Sequence, residues 1–207
     1  MSHKAQRKFF QAVCKKFPKY FRDAKVLDVG SLDINGCNRP YFDENCFYIG
    51  VDLGTGNNVD MISKGHQLTF VDDYFDVTCC SEVFEHDMHY KKTLQNMYRM
   101  LKPGGLMFFS CATTGRPEHG TIRSAKKDFP FTTEHDIWKD YYYNVTEEDV
   151  RAALDIELLF ESYDFGIETR HHDLRFWGLK VQQKQEQEPA DEDIHNDTDD
   201  QSSRFTV

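Results

Sequence analysis

The chain has 207 residues, 39% of them hydrophobic and 14% aromatic, enough for one domain with a real core and little room for a second. Its net charge is −10, of which −6 lies from Lys184 onward, where eight acidic residues face two basic ones, and −4 in the body. That balance disfavours nucleic acid as a substrate, because a domain gripping phosphates presents a basic surface, and no apolar run approaches the roughly 18 residues of a membrane span.

Residues 3 to 21 predict a helix: Phe9, Phe10, Val13, Cys14 and Phe17 recur at helical spacing, and Pro18 marks the end. This basic, amphipathic start has no long apolar centre and does not read as a secretory signal. The stretch AKVLDV predicts a buried strand, CFYIGVDL a second, NVDMI a short third and YFDVTCCSEV a fourth, apolar enough for a central position. YKKTLQNMYRMLKPGG predicts a helix with Leu94, Met97, Tyr98 and Leu101 on one face, stopped by Pro103-Gly104-Gly105. LMFFSCA is the fifth strand, and a loop-rich region runs from Thr113 to Asn144. VTEEDVRAAL predicts a helix capped by Thr146, and IELLFESYDF and LRFWGLKVQQ read as two closing strands. The polar, acidic stretch 184–207 is expected to be a disordered tail, leaving 1–183 as the folded domain. Six cysteines without a C-x-x-C pair predict reduced thiols and a cytoplasmic setting.

Alternating strands and helices imply an α/β fold with a doubly wound, mostly parallel sheet. The closing strands, joined by a short link, either pair antiparallel or cross over elsewhere. Ligands in such sheets sit beyond the carboxyl ends of the strands, at the switch point. Asp28 ends the first strand and Gly30 lets the backbone turn and approach a ligand closely. Asp52 ends the second, where an acid typically accepts hydrogen bonds from ribose hydroxyls.

Together, Asp28-x-Gly30, Asp52, FDVTCCSEVFEH and RMLKPGGLMFFS resemble the class I S-adenosylmethionine-dependent methyltransferases of the type 11-like group, over roughly residues 24 to 112. The resemblance implies a Rossmann-like fold with an antiparallel C-terminal strand pair, and S-adenosyl-L-methionine as cofactor. It implies that the turn carrying Gly30, Ser31 and Asp33, after Asp28, cradles the methionine end. Asp52 with Leu53 would bind the ribose, His66 and Gln67 the adenine, and Glu82 would lie near the methionine moiety or the reacting centre. Two places depart from the family pattern. Leu32 and Ile34 stand where glycines are common, and Lys64 stands where an acid is common before the adenine segment. Lysine cannot accept a hydrogen bond from an adenine amino group.

Methyl transfer to a hydroxyl needs a proton acceptor, a role suited to histidine, whose ordinary pKa lies near 6.5. SCATTGRPEHGT, residues 110 to 121, leaves the fifth strand toward the expected crevice and offers His119 as that base, with Glu82 also catalytic. Glu118 or a backbone carbonyl would orient His119, and Arg116 would hold the loop or an acceptor oxygen. Activity is then expected to fall at acidic pH. The G-R-P-E-H-G-T run is similar to methyltransferases of polysaccharide-building gene sets in bacteria and large DNA viruses. Trp138, Tyr142 and Tyr143 supply faces that stack on sugars and hydroxyls that bond their edges. The expected activity is O-methylation of a sugar or glycan hydroxyl. N- or O-methylation of another small metabolite, or a degenerate binding module, is the alternative. Glu85–His89 and His171–Asp173 group possible ligands, but the former pattern is ordinary for this family without metal, and none is expected. The missing G-x-G-x-x-G excludes a nicotinamide dehydrogenase. Oligomeric state is left open.

Overall fold

A computed structural model describes residues 4–124, 131–132 and 138–182. The expected tail, 184–207, lies outside the described residues, as does the 183 boundary.

Among the described residues the fold is a seven-stranded sheet ordered β3-β2-β1-β4-β5-β7-β6. Its strands are β1 Lys25–Val29, β2 Phe47–Asp52, β3 Met61–Ile62, β4 Phe75–Ser81, β5 Leu101–Ala112, β6 Phe160–Glu168 and β7 Asp173–Lys180. β1 to β5 pair in parallel. β7 lies antiparallel between β5 and β6. The doubly wound, mostly parallel sheet is as expected, and the closing strands pair antiparallel. The chain winds from β1 outward to β3, then returns to start β4 on the other side, which opens a crevice between the ends of β1 and β4.

The sheet sorts its side chains by period two. Val26, Val77, Cys79, Leu106 and Phe108 point to one face, against Phe10 and Val13 of α1 (Lys4–Lys16). Leu27, Val29, Cys80, Met107 and Phe109 point to the other, against Leu94, Met97 and Met100 of α2 (Tyr90–Met100) and Val150 and Ala153 of α3 (Glu147–Ala153). The expected Thr146 cap is present: its side chain accepts from Asp149 N, and the Asp149 side chain returns the bond.

Three boundaries differ from the sequence expectation. The first helix stops at Lys16, and Pro18 opens a separate 3₁₀ turn, Pro18–Phe21, because proline tolerates a first turn and not an interior. Pro103-Gly104-Gly105 does not merely end α2. It lies inside β5 as an irregularity, with Gly104 at φ +72° and a register shift against Phe75 and Val77. IELL is a short helix, α4 (Ile156–Leu159), because the Asp155 side chain accepts from Leu158 N and caps it. The strand begins only at Phe160. The connections from β1 to β4 carry 3₁₀ turns, Arg39–Tyr41 and Gly65–Gln67, in place of α-helices. Among the described residues no helix is long and apolar enough to cross a membrane.

Lys180, at the end of β7, ties the layers together. Its ammonium donates to Asp73 Oδ1 at 2.7 Å, Tyr98 O at 3.1 Å and Leu101 O at 2.6 Å, using all three protons at the carboxyl end of α2.

Candidate functional site

The principal pocket opens at the crevice. It is walled by the turn after β1 (Gly30–Leu32, Ile34), the end of β2 (Asp52, Leu53) and the turn after β4 (Glu82, Val83). Trp138 and His86 close its far side, and the buried Gln6 of α1 reaches it from below. Gly30 is there for backbone reasons. Its φ is +81°, and a Cβ would meet Val83 Cγ2 at 2.0 Å. Glu82 on the facing turn also adopts the left-handed region, at φ +54°, a conformation uncommon outside glycine and concentrated at functional sites.

Asp28 lies on the α1 face of the sheet beside Tyr48 and Cys79. Its carboxylate accepts from Tyr48 Oη and from Asn38 Nδ2, the latter at 3.0 Å. Burial pushes its pKa up to about 6, against the pull of those bonds. Asn38 also reaches Ser81 Oγ, so it clasps the ends of β1 and β4. Asp52 accepts from Leu32 N at 2.9 Å and Leu53 N at 2.7 Å. Those bonds fix the carboxylate at the rim and leave lone pairs for a ligand hydroxyl, while burial raises its pKa.

The remaining expected cofactor residues divide. Ser31 is buried in the wall. Asp33 is exposed and serves the turn, accepting from Gly36 N at 2.7 Å. His66 stands against His89, with ring centroids 4.3 Å apart, and 6.2 Å from the Trp138 ring. Gln67 is exposed beside it. The departing Lys64 places its ammonium 5.2 Å from the Trp138 ring, where it covers an aromatic face.

A second cluster of polar side chains is built from the turn after β4 and the loop after β5. Register brings them together: Cys80 pairs with Phe109 and Ser81 with Ser110, and Glu82 N donates to Ser110 O at 2.8 Å. Ser110 Oγ in turn donates to Glu82 Oε1 at 3.0 Å. His119 then packs against His86, ring centroids 5.0 Å apart and edge to face, and against Tyr142 at 4.9 Å. Its Nδ1 lies 3.0 Å from Pro117 O. Since a carbonyl only accepts, Nδ1 carries the proton and Nε2 the lone pair.

A backbone carbonyl therefore orients His119, and Glu118 does not. Glu118 instead accepts from Thr121 Oγ1 at 2.6 Å and from Arg123. Arg116 holds the loop: its Nη1 donates to His171 O at 2.6 Å and lies 3.2 Å from Asp173. Tyr143 faces away, stacked on Tyr90 and bonded to Asp149. Burial lowers the His119 pKa to about 4, so the loss of neutral imidazole expected near the ordinary value moves far down in pH. The buried His86 is lowered as well, and the buried Glu85, beside Glu82, is raised.

The family profile described as "Methyltransferase domain" matches residues 1–169. The chain belongs to this methyltransferase family.

No curated protein matches this methyltransferase domain. Among the solved structures that share its fold are three methyltransferases. The CurJ carbon methyltransferase superposes with a TM-score of 0.60 at 16% identity, over 85% of this chain and 55% of that one. The Burkholderia thailandensis 1,6-didemethyltoxoflavin-N1-methyltransferase, with bound S-adenosylhomocysteine, gives 0.59 at 17%, over 86% and 79%. The Haemonchus contortus phosphoethanolamine N-methyltransferase 2, in complex with S-adenosyl-L-methionine, gives 0.59 at 15%, over 84% and 52%. The chain thus spans little more than half the length of the first and third.

The sequence reading of the methyltransferase site missed Asn38, Gln6 and Asp87. Asp87 accepts from His89 N and Thr93 Oγ1 and starts α2 from the pocket wall. Its signal was readable, an acid three residues before the first helical residue, placed to take the amide of the residue that opens the helix. Gln6 gave none, because a polar residue on a surface helix is ordinary.

Proposed function

We propose that the chain transfers a methyl group from S-adenosyl-L-methionine to a hydroxyl of a small polyhydroxylated acceptor, a sugar or glycan. The cofactor fits the residues present. The turn at Gly30 has no room for a side chain, which suits close approach of a ligand to the backbone. Asp52 offers a rigid acceptor at the position suited to ribose hydroxyls. When bound, the cofactor supplies an activated methyl: the acceptor oxygen bonds to its carbon as the carbon–sulfur bond breaks and the electron pair stays on sulfur.

The observation that carries the hydroxyl reading is the pair of imidazoles, His86 in the wall of the pocket and His119 packed edge to face against it. A hydroxyl must lose its proton as the new bond forms, whereas a neutral amine attacks without such help. His119 presents the lone pair of Nε2 for that proton, with Pro117 holding its other nitrogen. Trp138 adds an aromatic face to the same space, and the Tyr142 ring packs against His86 while its hydroxyl donates to Asn144 Oδ1 at 2.9 Å.

The test is transfer of a radiolabelled methyl group across a panel of free and nucleotide-linked sugars, small amines and short RNA. Label is expected in a sugar. Label confined to an amine overturns the hydroxyl reading. His119→Ala should cut turnover by about 10²–10⁴, the usual range for losing a general base. Cofactor affinity, followed by calorimetry, should be unchanged in the same variant.

A further inference from the structure

Glu85 is the least explained charged residue in the methyltransferase domain. It lies four residues past the end of β4 and is wholly buried, and no side chain among the described residues hydrogen-bonds its carboxylate, which the backbone amides of Glu85 and Ala112 favour in its charged form. A buried acid left that way costs several kcal/mol unless something pairs with it. What surrounds it is specific. His119 Nε2 lies 3.8 Å and His86 Nε2 4.0 Å from the same oxygen, Glu85 Oε1. One ligand atom from each of the three residues falls within 4.8 Å of the others.

The donor set has the chemistry of a metal site. Two imidazoles and a carboxylate on one side of an ion leave its remaining positions open, the arrangement of many catalytic centres. His119 is also held as metal-ligating histidines are held. Its Nδ1–H is spent on the Pro117 carbonyl, which turns the Nε2 lone pair outward. Magnesium and calcium prefer oxygen shells, so two nitrogens favour a transition ion.

We propose that Glu85, His86 and His119 bind a divalent transition-metal ion at the acceptor end of the pocket. The site stands on geometry. Its use in catalysis rests on the hydroxyl reading above and deepens it. His86 lines the pocket, so an ion here has an open position facing the acceptor. A hydroxyl coordinated there becomes more acidic. With the ion bound, the acceptor's proton leaves to water as the carbon–oxygen bond forms and the carbon–sulfur bond breaks; His119 then holds the ion, and its role as base belongs to the metal-free chain. The ion and the acceptor hydroxyl are thereby set beside each other before transfer, which fixes orientation as well as acidity.

The test uses the full chain without an affinity tag, stripped with chelator and titrated with Co²⁺ by visible absorption and with Zn²⁺ by calorimetry. Saturation at a single equivalent, with Co²⁺ bands in the visible, is expected. Glu85→Gln and His119→Ala should each weaken binding by at least about 10–100-fold, the loss already typical of removing a group that merely supports a ligand. His89→Ala should bind as the wild type does, because His89 stacks on His66 and is not among the three. Melting curves establish that each variant is folded. His119 sits in a partly exposed loop, so its variant serves if Glu85→Gln does not fold. Stripped wild type that takes up no more Co²⁺ than His119→Ala overturns the site, as does a Co²⁺ spectrum unchanged by both variants. Specific binding without methylation of any hydroxyl compound sinks the acceptor reading and leaves the site standing.

Discussion

Gly30 and Val83 share one small volume between the ends of β1 and β4, and that volume sets how closely a ligand meets the backbone. Gly30→Ala adds a side chain at φ +81° and places it on Val83. It should lower stability by about 1–3 kcal/mol, the cost of holding a residue in a sparsely populated region, and weaken cofactor binding. Adding Val83→Ala should restore the part due to collision and not the part due to φ, and thermal melts of both variants separate the two. An unchanged melting temperature in Gly30→Ala would mean that the turn relaxes freely. Asp52 is the other decisive residue. Asp52→Ala removes a charged acceptor of two loop amides as well as the proposed ribose contact. Cofactor affinity should drop by about 1.5–3 kcal/mol, the range for hydrogen bonds to a charged group. Equal dissociation constants by calorimetry would remove Asp52 from the ribose.

At the scale of elements, Lys180 does what no single packing contact does, closing β7 against α2 and the start of β5 through three hydrogen bonds. Lys180→Met keeps the stem's volume, removes the donor to the buried Leu101 carbonyl and leaves Asp73 without its ammonium, while Tyr98 O keeps the Leu101 amide. It should destabilise by about 1–3 kcal/mol in urea melts. A midpoint equal to that of wild type would show that water replaces the ammonium. Most elements were legible because their apolar residues repeat at the right period: β1, β4 and β5 feed both faces, and α2 carries one stripe. The misreadings came from local chemistry that periodicity does not see. In IELL, an Asp155 side chain turned to Leu158 N outweighs the apolar run that suggests a strand. At Leu101–Gly105, helix-stopping residues also start a strand, since a glycine at φ +72° serves both ends of one bend.

At the scale of the whole molecule, the crevice was readable and its contents only partly. Asp28, Gly30, Asp52 and Glu82 each lie at or within one residue of a strand's carboxyl end, so sequence position alone puts them at one edge. The meeting of Glu85 and His86 with His119 depends on the β4–β5 register and on a carbonyl turning one ring, and residues about 30 positions apart carry no pattern that encodes it. Asp28, buried in the layer that joins β1, β2 and β4, links this architecture to pH. Its folded pKa, about 6, lies above the model-peptide range, so the protonated form favours folding. Its contribution is complete below about pH 4 and is lost as pH rises through about 6. Relative to Asp28→Asn, the wild type should therefore lose about 1.4 kcal/mol of stability per pH unit across that interval. Parallel stability curves for the two proteins would show that Asp28 is ionised throughout. A different consequence follows from the reversed direction of β7. Because it runs back, its first residues stand beside the last of β5: Thr113 N donates to His172 O, and Arg116 grips His171 O. The loop that carries His119 and the turn of the closing hairpin are thus tied as one unit, borne on β5 and β7, and β5 also steadies Glu82 of the pocket wall through Ser110. On the proposed reading, residues 113–124 and 169–172 would have to be exchanged together, because either segment transplanted alone would arrive without its anchor.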